Sequence, residues 1–480
     1  MPSGASRIAR GRAVVNDGIL AAFDAMAQRS RDHIVARSTA WQASAGAIDD
    51  WSRQAADRVH AAALPPGSVV GLDAPAGPAF LAGFLGLRRA GCTALLLDVT
   101  AAHDDRARVL SAVGARAVLH CRTSASVANF EVRLDVLHAG AAPSDRSDLA
   151  VIQMTSGSAG TPRGVAISSE ALLADEDALA RTMSVRPDDR ILASLPMSHR
   201  YGFTMLTLAA IVRGCQLIMP PDDGPLSPIS AAAACLATVF PTVPAYLQAL
   251  FRMARPPAWP ASIRLTLTAG APLPPATAAQ FREIAGRPVH AFYGASECGG
   301  ICYDRGGDAA ERGSVGTPVE GVSISLTPSD EPGGSGLIEV VSSGVGETYV
   351  PVPDARLGQG RFQTADLAEW RGSEVVLLRR ADRVINVRGF KVDPAEVEQV
   401  LAGLPGVEDV VVTGTSGADG VGTIVRAVVA CRPGVLDAAM VAAWCRPRLA
   451  EHKVPRSIAL VDALPRTSRG KIDRAALDHA

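Results

Sequence analysis

This sequence is defined first by what it lacks. No CxxC pair occurs among its eight cysteines, and the one close pair, Cys298 and Cys302, has no nearby His or Cys to complete a zinc site. Reduced thiols in a cytoplasmic protein are therefore expected. An excess of charge of one sign is missing too: the formal net charge is −1, so no global field draws the chain to nucleic acid or an anionic membrane. Arg7, Arg10 and Arg12 are not followed by an apolar h-region, so no secretory signal is expected. The longest apolar runs, such as residues 231–240, fall short of a membrane span. With 48% hydrophobic and 20% charged residues, the 480 positions have an ordinary globular balance.

Such a length predicts about two to four domains. Residues 1 to about 145 alternate helices with short buried strands: apolar runs at 68–72, 94–97 and 115–120, with a helical stretch at 80–89. The rhythm returns after 185, with strands at 190–195, 216–219, 238–240 and 263–268 and helices at 204–212 and 230–236. Strand–helix alternation predicts α/β subdomains with mainly parallel sheets. Around 320 the texture changes to β-like runs at 322–326, Gly336–Val341 and 375–378, which predict a small antiparallel, β-barrel-like part. Beyond Arg380 come a helix at Pro394–Ala402, strands at 407–412 and Thr423–Ala430, and a helix at 436–449, enough for a small α+β domain. The expected division is 1–381 and 382–480.

Five loops carry the chemistry. In the first, an apolar strand empties into Thr155-Ser156-Gly157-Ser158-Ala159-Gly160-Thr161-Pro162-Arg163-Gly164. Hydroxyls, backbone N–H groups and glycines without a Cβ suit a polyphosphate, and Arg163 supplies charge at the end. A Ser/Gly loop alone is also a common surface turn, and this one is not a P-loop, lacking Gly-Lys-Ser/Thr. The second loop, Tyr293-Gly294-Ala295-Ser296-Glu297, closes an expected strand at 288–292, and strand ends in α/β sheets bind ligands. Tyr293 suits a purine face and Glu297 a magnesium ion. The same residues nearly match a Gly-x-Ser-x-Gly nucleophile elbow around Ser296, with Cys298 in place of the last Gly. The third is Thr364-Ala365-Asp366, whose carboxylate suits two ribose hydroxyls. The fourth, residues 380–391, is rich in charge; the fifth, residues 464–472, ends in Gly470-Lys471.

All five in this order resemble the superfamily of acyl-CoA synthetases, beetle luciferases and nonribosomal peptide synthetase adenylation domains, closest in pattern to stand-alone acyl- or aryl-CoA ligases. The match runs over roughly residues 150–474; the residues before it share only the rhythm of the family's first subdomain. The resemblance implies an ATP-dependent acid–thiol ligase that makes an acyl-AMP, releases pyrophosphate and passes the acyl group to a thiol. It also implies roles. Thr155, Ser156, Gly157, Ser158, Gly160, Thr161 and Arg163 would cradle the phosphates. Gly270, Ala271 and Pro272 would form the adenine wall, with Tyr293 and Gly294 at the base. Ser296 would meet the α-phosphate, Glu297 Mg²⁺, and Asp366 with Arg380 the ribose. Lys391 matches a basic residue that approaches phosphate, Asp382 a hinge, and Lys471 the lysine bridging carboxylate and α-phosphate. Preorganised charge of that kind is worth roughly 3–4 kcal/mol per group.

Departures from the family pattern are Arg163 for Lys, Ser296 for Thr, Ala365 for Gly and Asn386 for Lys. The family's acyl pocket maps to His199, Phe203, Val239, Val243, Thr268, Ala269, Ala295, Gly299 and Gly300. No carboxylate stands there to hold an amino group, which disfavours an α-amino acid, and small residues at 295, 299 and 300 leave room for an aryl or medium acyl chain. With no carrier segment after Lys471, the expected thiol is coenzyme A, or the phosphopantetheine of a separate carrier protein. A non-catalytic acyl-adenylate-binding protein and a serine hydrolase are the readings from other classes.

Overall fold

The computed structural model describes residues 17–101, 103–137, 148–155, 163–328, 334–381, 385–387, 390–416, 423–449, 451–467 and 472–477. Two mixed sheets dominate. In the nine-stranded one, six neighbouring strands run parallel: Ile34–Arg37, Gln216–Ile218, Arg190–Leu192, Val239–Thr242, Leu265–Thr268 and His290–Ala295. In the seven-stranded one, Leu149–Thr155, Thr93–Leu96, Val69–Asp73 and Ala117–Thr123 are parallel, flanked by antiparallel edges. Their apolar runs are buried because helices cover them, as parallel sheets require. One example is Pro78–Arg89, whose residues 78–88 are all buried.

Leu149–Thr155 pairs antiparallel with Arg163–Ser168, so Thr155 and Arg163 lie side by side. Ser168 then ends the strand and caps the helix Ser169–Met183, its hydroxyl accepting from the Ala171 N–H at 3.2 Å. The helix stops at Ser184, whose left-handed φ of 54° closes the turn.

Beyond 320, five strands form the antiparallel sheet expected there, and the long strand Arg361–Arg371 pairs with three of the others. Apolar residues from Ile19 to Val375 make one core, while residues from Ile385 to Leu449 make another around Pro394–Ala402 and the Asp409–Ser416/Thr423–Ala430 hairpin.

Several elements differ from expectation, among them the helix expected at 436–449, which spans only Ala438–Cys445. The stretch 204–212 lies within Phe203–Arg213, wound as a π-helix rather than an α-helix. The strand expected at 190–195 ends at Leu192, ahead of Pro196. Among the described residues no helix is long and apolar enough to cross a membrane.

Candidate active site

Three motifs separated by up to about two hundred residues of chain meet at the carboxyl ends of the parallel strands. The first is the root of the hydroxyl–glycine loop, where Thr155 and Arg163 face each other across the hairpin. Thr155 Oγ1 donates to the Arg163 carbonyl at 3.1 Å, closing the loop's base. The Arg163 guanidinium lies over the Tyr349 ring, 3.2 Å from its centroid, and donates to Asp354 Oδ2 at 2.9 Å. Among the described residues its buried Nε has no hydrogen-bond partner.

The second motif is the turn between His290–Ala295 and Gly299–Tyr303, strands that pair antiparallel with a register shift at Tyr293/Gly294. Gly294 is needed at that shift, because a Cβ there would lie 2.5 Å from the Gly299 carbonyl oxygen. Glu297 sits in the turn, half-buried, and its Oε1 accepts from the Tyr349 hydroxyl at 3.0 Å. The third is the strand pair in which Asp366 faces Arg380. Tyr293 donates through its hydroxyl to Asp366 Oδ2 at 2.6 Å, and Arg380 Nη1 donates to Asp366 Oδ1 at 3.3 Å. Burial, then the charge of Asp366, push the Tyr293 phenol well above its usual range, so it stays a neutral donor. Gly270, Ala271 and Pro272 are exposed on the loop after Leu265–Thr268, with Gly270 at a φ of +85°.

The AMP-binding enzyme family profile matches residues 23–350, and that of the AMP-binding enzyme C-terminal domain matches residues 396–471. The chain belongs to the AMP-binding enzyme family. Among its relatives is the feruloyl-CoA synthase of Amycolatopsis sp, 30% identical over 445 residues, which cover 87% of this chain and 89% of that one. The long-chain-fatty-acid–CoA ligase FadD13 of Mycobacterium tuberculosis is 27% identical over 466 residues, 89% of this chain and 90% of the other. In fold, the AMP-binding enzyme is similar to ATP-bound MatB from Rhodopseudomonas palustris, with a TM-score of 0.80 at 24% identity, over 96% of this chain and 98% of that one.

On the acyl side the AMP-binding enzyme departs from several expectations. Phe203 has 0% exposure and packs edge-on against Phe80 and Phe84, and Val239 is equally buried. A side chain that water cannot touch lines no open pocket, so both belong to the core, and Thr268 and Ala269 are buried beside them. Gly299 and Gly300 do not open space either. A Cβ on Gly299 would strike the Asp175 carboxylate, and one on Gly300 would lie 2.6 Å from Leu179 Cδ2. Helix Ser169–Met183 fills the room those glycines leave. Asp175 is locked there: it accepts from Arg200 Nε at 3.1 Å, Thr204 Oγ1 at 3.0 Å and the Gly300 N–H at 2.9 Å. The expected residues that keep accessible surface are His199, Val243 and Ala295. His199 Nε2 lies 3.9 Å from Asp98 Oδ2.

The nucleophile elbow is not formed. Ser296 lies between two antiparallel strands instead of a strand and a helix, and among the described residues its side chain meets no histidine. Ser156, Gly157, Ser158, Gly160, Thr161, Asp382 and Lys471 lie outside the described residues, as does the side chain of Lys391. The chain on either side of Lys471 is tied together, with Arg466 bridged antiparallel to Ile472 and the Asp473 N–H donating to the Pro465 carbonyl at 2.8 Å.

Sequence reasoning missed Tyr349, which joins the first two motifs, and Asp354, which braces Arg163. No spacing marks them. They arrive because Thr348–Val350 adds to the sheet beside Arg163–Ser168.

Proposed function

We propose that this AMP-binding enzyme is an ATP-dependent carboxylate–CoA ligase, which activates a carboxylic acid as acyl-AMP with release of pyrophosphate and then transfers the acyl group to coenzyme A. The observation that carries the reading is that the segment Tyr293–Glu297 is held from two directions, Glu297 by Tyr349 under the Arg163 guanidinium and Tyr293 by Asp366 with Arg380. Asp366, pre-oriented by Tyr293 and Arg380, accepts the ribose hydroxyls, and the face of Tyr293 takes the purine against Gly270–Pro272. Residues 155–161 and Arg163 hold the β- and γ-phosphates, while Ser296 meets the α-phosphate.

Magnesium fits the donor set. Among the described residues no group of three or more His, Cys, Asp or Glu side chains could hold a metal, and Mg²⁺ is ordinarily bound by one or two carboxylates plus substrate phosphates. Glu297 would be its protein ligand. When bound, the ion would neutralise phosphate charge.

Joining a carboxylate to ATP brings two anions together. Lys471 bridges the acid and the α-phosphate, and its departure on the 382–480 segment, turning at Asp382, clears the path for the thiol. The relatives named as CoA synthase and CoA ligase support coenzyme A as the acceptor. His199, Val243 and Ala295 border the acid, an aryl or medium acyl chain.

The test is ATP–pyrophosphate exchange across a panel of aryl and acyl acids, followed by thioester detection with coenzyme A. Exchange with at least one acid and a CoA thioester are expected. ATP-independent esterase activity, or no exchange with any acid, contradicts the reading. Exchange without a CoA thioester assigns the acyl group to a carrier protein instead.

A further inference from the structure

The strand Thr348–Val350 is tied to both halves of the phosphate site. Tyr349 is in register with Val165, two residues beyond Arg163, and the Glu347 N–H donates to the Ala166 carbonyl at 2.8 Å. On the other side the Gly346 N–H donates to the Glu297 carbonyl at 2.7 Å. A Cβ on Gly346 would come within 2.6 Å of Val165 Cγ1, so the backbone reaches both partners only because that residue is glycine. Local geometry thus fixes the distance between the exit of the phosphate loop and the Glu297 turn.

Side chains complete the link. Asp354 holds the Arg163 guanidinium at 2.9 Å, the guanidinium lies flat over the Tyr349 ring, and the Tyr349 hydroxyl donates to one oxygen of Glu297. We propose that Tyr349 is a positioning residue that orients the Glu297 carboxylate, and that Arg163, braced by Asp354, fixes the Tyr349 ring. The cation at the end of the loop and the carboxylate that takes the metal then act as one unit. This rests on the reading of Glu297 as the magnesium ligand.

The physical case has three parts. A carboxylate whose Oε1 accepts from a phenol presents Oε2 in a defined direction, as partners of metal ligands commonly do. A cation over an aromatic face draws on the ring's electron density and strengthens the hydroxyl as a donor. Finally, a planar guanidinium can stack on a ring and pair with a carboxylate at once, which a compact ammonium cannot. That gives the exchange of Lys for Arg at position 163 a structural purpose beyond charge. Asp354 is itself held well below the usual carboxylate range, chiefly by the side chain and N–H of Arg356, so it remains an anionic brace.

Calorimetric ATP binding in Mg²⁺ and in EDTA tests this, using wild type, Tyr349→Phe, Arg163→Lys, Glu297→Gln and the double variant Tyr349→Phe/Glu297→Gln. Tyr349→Phe keeps the ring and removes only the hydroxyl. It is expected to weaken ATP binding in Mg²⁺ about 10-fold while changing it little in EDTA, the size usual for a lost partner of a metal ligand. Arg163→Lys should reproduce part of the Mg²⁺-selective loss, and Tyr349→Phe should add nothing once Glu297 is Gln. No loss in Tyr349→Phe, equal loss with and without Mg²⁺, or additive losses overturn the proposal while leaving Glu297 as the ligand. If Glu297→Gln itself leaves the Mg²⁺ dependence intact, the Glu297 assignment fails and the proposal falls with it.

Discussion

The two ends of this chain use different cations. Through Arg380 there is no lysine at all, and the three in the sequence, Lys391, Lys453 and Lys471, all lie beyond it. In the larger part the cations of the candidate site are arginines already engaged: Arg163 with Asp354 and Arg380 with Asp366. A forked guanidinium suits permanent, two-sided positioning, whereas a compact ammonium on a flexible stem suits a charge that arrives and leaves. The difference teaches a division of labour. Under the proposed function, arginines would build a fixed anion cradle and Lys471 would complete it for one step. Lys453 is committed elsewhere, to Glu396 at 2.6 Å.

The largest expected effect breaks that division directly. Lys471→Ala should slow acyl-AMP formation by about 10²–10³-fold, the cost of one preorganised charge-stabilising group, yet spare thioester formation from supplied acyl-AMP. Separate assays of the two half-reactions check it, and equal loss in both would show that the lysine is not confined to the first step.

A second test sharpens the boundary between cradle and core. Gly299 has a φ of +73° and backs onto the locked Asp175 carboxylate. Gly299→Ala should therefore cost about 2–4 kcal/mol in denaturant unfolding, from backbone strain and overpacking together, without changing the order of preferred acids. A changed acid preference at intact stability would return that glycine to the pocket.

The smallest effect lies at the opposite ends of the same strands. Asp189, just before Arg190–Leu192, accepts from the Arg186 N–H at 2.8 Å, Thr238 Oγ1 at 2.7 Å and Arg264 Nε at 3.0 Å, joining the amino ends of three parallel strands. Burial alone would raise its pKa, but Arg264 and the other donors outweigh burial and leave it below the usual value. A depressed carboxylate stabilises the fold above its unfolded pKa of about 3.9 and loses that contribution as pH falls through the lower folded value. Asp189→Asn should thus cost about 2 kcal/mol near neutrality, with a melting-temperature gap from wild type that narrows below about pH 4 and ATP affinity unchanged. A gap that widens in acid would contradict the sign.

Much of the architecture was legible because its signals are local. Apolar runs bounded by glycine, proline and aspartate marked the buried strands, and the helix expected at Pro394–Ala402 forms at those bounds, capped by Asp393. The pairing of Asp366 with Arg380 and the hairpin closed by Thr155 and Arg163 place side by side residues that had been picked from motif order alone. What was not legible depends on packing across long separations. Small residues at 299 and 300 suggested space, but their Cβ positions face a helix more than a hundred residues earlier in the chain. The sequence around Phe203 does not reveal that Phe80 and Phe84 enclose it. Tyr349 carries no motif, and only strand pairing delivers its hydroxyl to Glu297.

The central claim, that a tail lysine meets the nucleotide cradled by the larger part of the chain, is open to one direct measurement. An adenosine polyphosphate bearing a pyridoxal aldehyde condenses with a nearby amine, and borohydride reduction fixes the adduct for peptide mapping. With no lysine before residue 391, every lysine adduct reports on the smaller part of the molecule. The expected result is modification of Lys471 that ATP suppresses. ATP-protected labelling confined to Lys391 or Lys453, with Lys471 untouched, would contradict the account.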